Sequence, residues 1–177
     1  MNIGLFYGST TCYTEMVAEK IQQAFATNSQ FNVVLHNIKD DPLSLCQTYD
    51  FLIFGISTWD YGELQEDWES GWAEVAQLDL STKIVALYGM GDQVGYSEWF
   101  QDALGMLHDQ LQPSDAYITG YWPNIGYDFI ASKALTEDQQ QFVGLSLDDE
   151  SQYQLTDERI EQWVKQLEDE IKAILAT

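Results

Sequence analysis

The sequence predicts an α/β fold in which a doubly wound, five-stranded parallel sheet carries helices on both faces. Short apolar runs alternate with amphipathic stretches from one end of the chain to the other. The runs at residues 51–56 and 84–88 are continuously apolar, as expected for strands that are buried on both faces. Strands that alternate with helices in this way form parallel sheets covered by helices.

The strands are predicted from these short apolar runs. They fall at residues 3–7, 31–38, 51–56 and 84–88, with two shorter pieces at 117–118 and 142–145. The segment from about 120 to 141 does not fit the alternation, so we expect a surface insertion before or within the last strand. No repeat or linker interrupts the sequence, and residues 1–177 are expected to form a single domain.

Helices are predicted where apolar residues recur at spacings of three and four. The first presents its apolar face between residues 17 and 25, and the others follow at 42–48, 64–75, 100–111 and 160–174. Gly71 weakens the helix that contains it. Thr156 precedes two acidic residues and is expected to be the N-cap of the last helix.

The net charge restricts the classes of partner. The chain has 7 Lys and Arg against 29 Asp and Glu, a formal net charge of −22. Such a surface repels phosphate backbones and anionic lipids, which argues against nucleic acid and membrane partners. A basic protein partner would instead be steered toward it. The alternative is that the acidity serves only solubility or salt tolerance.

The remaining composition predicts a cytoplasmic protein, with a monomer as the default state. Residues 1–8 have no basic region and too short an apolar run for a signal peptide, and no stretch approaches a membrane span. Cys12 and Cys46 cannot build a disulfide framework or a zinc site. His36 and His108 are far apart in the sequence and form no ligand pair.

The loop after the first strand is rich in hydroxyl side chains, namely those of Ser9, Thr10, Thr11 and Thr14. It leads into a helix whose free N–H groups and dipole favour an anion, so the loop indicates a phosphate site held by neutral donors. It lacks the Gly-Lys-Ser/Thr ending of a phosphate-hydrolysis loop, and no G-x-G-x-x-G dinucleotide fingerprint follows a strand. The alternative is a hydroxyl-rich N-cap without a ligand.

Two further loops, at residues 57–63 and 89–96, are expected to open on the same edge of the sheet. Each contains glycines, which permit tight turns, and a large aromatic residue. Trp59 and Tyr96 are expected to bracket a planar ring from opposite sides. Together with the anion site, the two loops indicate a flat, phosphorylated cofactor.

These three loops resemble the FMN-binding loops of flavodoxins, and the match covers nearly the whole chain in order. Residues 121–127 and 142–148 resemble the long-chain subgroup, and residues 1–16 look most like the bacterial flavodoxin 2 branch. The resemblance implies a sheet of order 2-1-3-4-5 that binds FMN non-covalently. The chain departs from it at Cys12 and Tyr13, where many members have Gly-Asn. Cys12 is interpreted as a small residue filling the glycine position, with a redox switch as the alternative.

The resemblance also implies a set of FMN contacts. Residues 9–14 would surround the phosphate, with Trp59 against the inner face of the ring and Tyr96 against the outer face. Asp148 would reach the ribityl chain. The full implied set is Ser9, Thr10, Thr11, Cys12, Tyr13, Thr14, Ser57, Thr58, Trp59, Asp60, Tyr61, Gly62, Gly89, Met90, Gly91, Asp92, Tyr96 and Asp148.

The function implied by the resemblance is that of a low-potential one-electron carrier rather than an enzyme. Gly91 and Asp92 would approach the pyrimidine edge of the flavin. The backbone carbonyl of Asp60 would turn to accept the N5 proton of the neutral semiquinone. The protein would carry electrons from a flavodoxin/ferredoxin-NADP reductase type of donor to acceptor enzymes, through this semiquinone and the anionic hydroquinone.

Acidic residues that crowd the start of the third helix suggest how partners dock. They are Glu63, Glu66, Asp67 and Glu69. They are expected to dock redox partners with basic faces, although a solvated helix face with favourable N-terminal charge would have the same composition.

Two other functions compete with the carrier. One is an FMN-dependent oxidoreductase on the same fold, although the sequence shows no substrate-pocket signature or proton donor. The other is a phosphoacceptor receiver domain, which would need acidic residues where the first strand ends in Gly8, Ser9 and Thr10.

Overall fold

A computed structural model describes residues 1–176. The strands are β1 (Asn2–Tyr7), β2 (Asn32–Asn37), β3 (Phe51–Trp59), β4 (Glu63–Leu64), β5 (Ile84–Met90), β6 (Tyr117–Thr119), β7 (Trp122–Pro123), β8 (Gln141–Phe142) and β9 (Leu145–Leu147). The α-helices are α1 (Tyr13–Phe25), α2 (Glu66–Ser70), α3 (Trp72–Val75), α4 (Asp102–Leu111) and α5 (Thr156–Leu175). Short 3₁₀ turns lie at Leu43–Thr48, Gln112–Ser114 and Tyr153–Leu155.

The main sheet is parallel and runs in the order β2-β1-β3-β5, after which β5 pairs with both β6 and β9. With β5 counted as the fourth strand, this is the predicted order 2-1-3-4-5, and the predicted doubly wound fold is confirmed. The order reverses between β1 and β3, so the loops that follow these two strands meet at the switch point where such folds bind ligands.

The fifth strand is made of two pieces, because the insertion divides it. β6 pairs with residues 84–86 of β5, and β9 pairs with residues 88–90. Gly120 has a φ of 76°, which turns the chain out of the sheet after β6. A Cβ at Gly144 would lie 2.3 Å from the Leu87 carbonyl oxygen, so only glycine lets the chain return beside β5.

The insertion is anchored in the core, so its description as a surface segment is only partly right. β7 and β8 form a small antiparallel sheet of their own. Within the insertion, Trp122 and Ala134 are buried. The chain also packs so closely on α4 that a Cβ at Gly105 would lie 2.2 Å from the Lys133 carbonyl oxygen. The insertion is therefore a packed layer against α4.

Two predicted helix features need correction. The helix expected at 64–75 is two short helices, α2 and α3, divided at Gly71, because glycine loses more backbone freedom in a helix than other residues do. Thr156 is the first residue of α5 and not its N-cap. The preceding 3₁₀ turn leads straight into the helix, and Leu155 already has helical dihedral angles. The Thr156 hydroxyl donates instead to Asp149 Oδ1.

Every residue of β5 is buried, and so are residues 51–56 of β3. Complete burial along a strand requires cover on both faces of the sheet, as the apolar runs predicted. Within residues 1–176, no helix combines the length and apolar character needed to cross a membrane.

Candidate functional site

A cleft of about 460 Å³ opens at the carboxyl ends of β1, β3 and β5. It is lined by Thr11, Tyr13, Thr14, Ser57, Thr58, Trp59, Asp60, Met90, Gly91, Asp92, Tyr96, Asp149 and Glu150. All of these except Asp149 and Glu150 belong to the set predicted from the sequence. The fold thus brings the three predicted loops together around one cavity, while the contacts of these residues with a cofactor stay a prediction.

The first loop offers free hydrogen-bond donors at one end of the cleft. The Ser9 hydroxyl is buried, yet it has no hydrogen-bond partner within the described part of the chain. No side chain caps the N-terminus of α1, which leaves its first amides available. Lys20 lies 2.6 Å from Asp157 of α5 and is held there. A buried hydroxyl without a partner needs an explanation, and a phosphate group at this helix end supplies one.

Cys12 occupies a backbone conformation that favours glycine. Its φ is 68°, in the left-handed region that non-glycine residues enter at a cost of about 1–2 kcal/mol. This conformation agrees with the interpretation of Cys12 as a small residue in a glycine position. Its thiol is exposed, whereas that of Cys46 is buried. The neighbouring Tyr13 is also exposed, at the mouth of the cleft.

A buried tyrosine supports this loop from below. Tyr88 of β5 is fully buried, and its hydroxyl donates to the Thr14 carbonyl oxygen at 2.8 Å, in the first turn of α1. The ring fits there because the opposite residue on β3 is Gly55, where a Cβ would lie 2.1 Å from the Tyr88 ring. This hydrogen bond therefore fixes the position of the first turn of α1 relative to the sheet.

The second loop forms one wall of the cleft. The Trp59 indole N–H donates to Ser57 Oγ at 2.9 Å, which fixes the orientation of the ring. Asp60 and Gly62 both have positive φ values, 43° and 88°. The next side chain, Tyr61, projects into solvent. The chain therefore makes a tight turn that leaves Trp59 facing the cavity.

Tyr61 packs against aromatic rings in the third loop and just after it. It is 70% exposed, and its ring packs edge-on against Trp99 at 5.1 Å and against Tyr96 at 6.5 Å. The sequence did not predict Trp99 as part of this rim, because Trp99 lies after the predicted 89–96 loop and before α4. The two aromatic walls thus meet at the outer edge of the cleft.

The third loop forms a further wall of the cleft, and Asp92 organises its turn. Its Oδ1 accepts hydrogen bonds from the backbone N–H groups of Val94 and Gly95, at 3.0 and 2.8 Å. The Tyr96 N–H in turn donates to the Asp92 carbonyl oxygen at 3.1 Å. The Asp92 carboxylate therefore shapes the turn that presents Tyr96, in addition to lining the cleft.

Asp148 does not line the cleft. It is fully buried, and its carboxylate accepts hydrogen bonds from Gln93, Glu150 and Ser151. Both carboxylate oxygens are thus occupied by protein donors, and the residues that line the cleft are its neighbours Asp149 and Glu150. Because the three acidic residues are consecutive, the sequence alone could not show which of them faces the cleft.

Other predicted residues lie beside the cleft rather than on its lining. Gly89 is in the sheet beneath it, where a Cβ would lie 2.2 Å from Gln101 Oε1. At Gly62 a Cβ would lie 2.8 Å from Asp102 Oδ2. Both glycines are required because buried polar side chains pack directly against the loop backbone. The remaining members of this group are Ser9, Thr10, Cys12 and Tyr61.

Asp102 is a buried carboxylate behind the second loop, and the sequence gave no sign of it. Its Oδ1 accepts a hydrogen bond from the Lys133 backbone N–H at 2.8 Å. Burial raises the pKa of Asp102, and the Lys133 N–H partly opposes this rise. The same carboxylate packs against Gly62, so it joins the insertion to the wall that contains Trp59.

The comparisons with known proteins agree with this architecture. The sequence profile described as Flavodoxin matches residues 5–163. The chain is 57% identical over 167 residues to flavodoxin 2 of Salmonella typhi, covering 94% of this chain and 95% of that protein. It is 56% identical over 171 residues to flavodoxin 2 of Escherichia coli, covering 97% of each. These relatives confirm the predicted resemblance to the flavodoxin 2 branch.

A solved structure shows the same fold. The flavodoxin of Fusobacterium nucleatum, described as bound to flavin mononucleotide, superimposes with a TM-score of 0.88 at 25% sequence identity, covering 96% of this chain and 98% of that one. Since the profile covers most of the chain and relatives above 50% identity cover nearly all of it, the chain belongs to the flavodoxin family.

Proposed function

We propose that this chain is a low-potential one-electron carrier that holds FMN non-covalently in the cleft. The observation that carries the proposal is the presence of two unlike ends in one cavity of about 460 Å³. At one end Thr11 and Thr14 line the cavity, and beside them lie the unpartnered Ser9 hydroxyl and the uncapped start of α1. Trp59 and Tyr96 supply aromatic rings to the lining of the same cavity. A phosphate attached to a flat ring system needs both.

The residues at the two ends perform different tasks. The amides of α1 and the Ser9 hydroxyl hold the phosphate without adding a positive charge. Trp59 and Tyr96 bury the faces of the ring and exclude water from them. Bound FMN supplies the redox centre, which accepts and releases electrons. The Asp60 carbonyl lies in a turn with positive φ at both Asp60 and Gly62. We propose that this carbonyl oxygen accepts a hydrogen bond from the N–H group at the flavin N5 edge.

Carboxylates around the cleft make the cofactor strongly reducing. Asp60, Asp92, Asp149 and Glu150 all line it. A unit negative charge about 10 Å from the reduced, anionic ring costs about 1.7 kcal/mol at an effective dielectric constant near 20. For one electron this corresponds to about 70 mV, a value that salt screening reduces for exposed carboxylates. Neutralising Asp60 and Asp92 should therefore raise the lower potential, and an unchanged potential would contradict this explanation.

Redox partners with basic faces are proposed to dock on the acidic surface near the cleft. Glu63, Glu66 and Glu69 are exposed, and Asp67 is half-buried. Electron transfer from a reductase of the flavodoxin/ferredoxin-NADP type should therefore slow as ionic strength rises. Stopped-flow rates over a salt series measure this, and a salt-independent rate would exclude electrostatic docking.

The binding claim is tested by titrating FMN into the flavin-free protein and following the loss of flavin fluorescence. The expected result is one FMN per chain and much weaker binding of riboflavin, which lacks the phosphate. Equal affinity for the two flavins would contradict a phosphate site at Ser9. Steady turnover of a small-molecule substrate without a partner protein would favour a directly acting oxidoreductase over the carrier.

A further inference from the structure

Two glutamine side chains that bond to different loops of the cleft are almost completely buried. Gln65 is 0% exposed and Gln93 is 2% exposed. Burying a carboxamide is unfavourable unless both its N–H₂ and C=O groups find partners. The partners of each side chain therefore indicate what it does, and the two differ in the loops that they join.

Gln65 connects the phosphate end of the cleft to the start of α2. Its Nε2 donates to Thr10 Oγ1 at 3.1 Å and to Asp67 Oδ2 at 2.8 Å. Its Oε1 accepts from the backbone N–H groups of Asp67 and Trp68, so the same carboxamide caps α2. A Cβ at Gly8 would lie 2.2 Å from Gln65 Oε1. The carboxamide thus packs directly beneath the loop that contains Ser9.

Gln93 connects the ring end to two other parts of the chain. Its backbone N–H and its Nε2 both donate to Asp148 Oδ2, at 3.0 and 2.8 Å. Its Oε1 accepts from the Asp128 backbone N–H, in the insertion, at 2.6 Å. The loop that presents Tyr96 is thereby tied to the segment that contributes Asp149 and to the insertion.

The insertion has a second attachment to the same loop. The backbone N–H groups of Ile130 and Ala131 both donate to the Ser97 carbonyl oxygen, at 2.8 and 3.1 Å. The loop that contains Tyr96 is therefore hydrogen-bonded both to the insertion and to Asp148. Within residues 1–176, the hydrogen bonds of the Gln65 side chain reach neither of these segments.

We propose that Gln65 and Gln93 are positioning residues that fix the two ends of the cleft independently, Gln65 the phosphate end and Gln93 the ring end. A neutral carboxamide suits this role, because it supplies both donors and acceptors without changing the charge around the cleft. The insertion contributes to this positioning through Asp128, whose backbone N–H donates to the Gln93 carboxamide that holds the Tyr96 loop. The inference rests on the proposed binding of FMN.

The test compares the affinities of FMN and riboflavin in matched variants. Gln65→Met and Gln93→Met keep the side-chain volume and remove the hydrogen bonds. Gln152→Met is the control, because the Gln152 carboxamide also bonds the insertion, at the Gly126 carbonyl oxygen, but lies on the segment leading to α5. The dissociation constant of riboflavin divided by that of FMN reports the contribution of the phosphate. A loss of global stability alone would not change this ratio.

We expect Gln65→Met to weaken FMN binding about tenfold while riboflavin binding changes little, so that the ratio falls. Gln93→Met should weaken both flavins about tenfold and leave the ratio unchanged. Gln152→Met should behave like the wild type. The assignment would be overturned if the ratio changed alike in both glutamine variants. It would also be overturned if both variants bound both flavins with wild-type affinity.

Urea unfolding of each flavin-free variant runs in parallel. If a methionine variant does not fold, Gln→Asn replaces it, since the shorter carboxamide stays polar but cannot reach Thr10 or Asp128; the expected ratios are the same. A wild-type protein that binds neither flavin would overturn the proposed function itself. A wild-type protein that binds FMN tightly, with variants that fail the ratio test, would overturn only the roles of the glutamines.

Discussion

Removal of the Tyr88 hydroxyl is expected to destabilise the protein from beneath the cleft. Tyr88→Phe deletes one oxygen atom and leaves the ring in the space opposite Gly55. The deleted hydroxyl is buried and donates at 2.8 Å to the Thr14 carbonyl oxygen. The substitution therefore removes one buried hydrogen bond, with no cavity larger than the missing oxygen.

The magnitude follows from the fate of the Thr14 carbonyl group. A typical hydrogen bond contributes about 1 kcal/mol net, and a buried acceptor left without a partner costs about 1–3 kcal/mol. Thr14 lies in the first turn of α1, where its carbonyl oxygen can still serve the helix, so we expect the lower part of this range, about 1–2 kcal/mol. With a urea m-value of about 2 kcal/mol/M, the unfolding midpoint should fall by about 0.5–1 M.

Urea unfolding of the flavin-free protein, followed by far-UV circular dichroism, measures this shift. Tyr117→Phe is the matched control, since Tyr117 is 58% exposed and its substitution should change the unfolding free energy by less than about 0.5 kcal/mol. A Tyr88→Phe midpoint equal to that of Tyr117→Phe would refute the role assigned to this hydrogen bond.

Three further predictions follow from groups near the cleft. In the flavin-free protein a thiol reagent should modify the exposed Cys12, and bound FMN should slow this reaction. Cys46 should react only on unfolding, because it is buried and burial raises its pKa to about 12. Rapid labelling of Cys46 in the folded protein would contradict this. Burial raises the pKa of Asp102, so the folded protein binds more protons than the unfolded chain and loses stability as pH rises from about 4, the unfolded value. Asp102→Asn should therefore gain stability relative to the wild type at pH 7 and lose this gain toward pH 4, and a gain independent of pH in paired urea titrations would exclude ionisation as its cause. Gly105→Ala should destabilise the protein by about 1–3 kcal/mol although alanine favours helices, because the methyl group would meet the Lys133 carbonyl oxygen, and a raised thermal midpoint would contradict that packing.

The fold was predictable because its two central strands correspond to continuous apolar runs in the sequence. Residues 51–56 and 84–88 are apolar throughout, and their length and β-branched residues favour strands covered on both faces. Once the strands were placed, the parallel topology put their following loops at one edge, and this placed Trp59 and Tyr96 across the same cleft. Local composition and topology together were therefore sufficient for the outline of the site.

The features that sequence reasoning missed depend on tertiary packing. Gln65 and Gln93 have no apolar periodicity or motif to distinguish them from surface glutamines, and only the fold shows them buried. Asp148 was chosen from an acidic run in which its neighbours face the cleft. Thr156 has a favoured N-cap side chain, but the preceding 3₁₀ turn already occupies the position where a cap would act. For the glutamines and Asp148, contacts distant in sequence decided the outcome, whereas for Thr156 the local 3₁₀ turn did.

The central claim is that the cleft makes bound flavin exchange electrons one at a time. The most direct test is a visible absorption spectrum of the FMN-loaded protein during stepwise anaerobic reduction. The carrier assignment predicts that a blue neutral radical accumulates to most of the flavin near the midpoint and then converts to the fully reduced form. Direct conversion of oxidised to fully reduced flavin without this radical, or a protein that takes up no FMN, would contradict it.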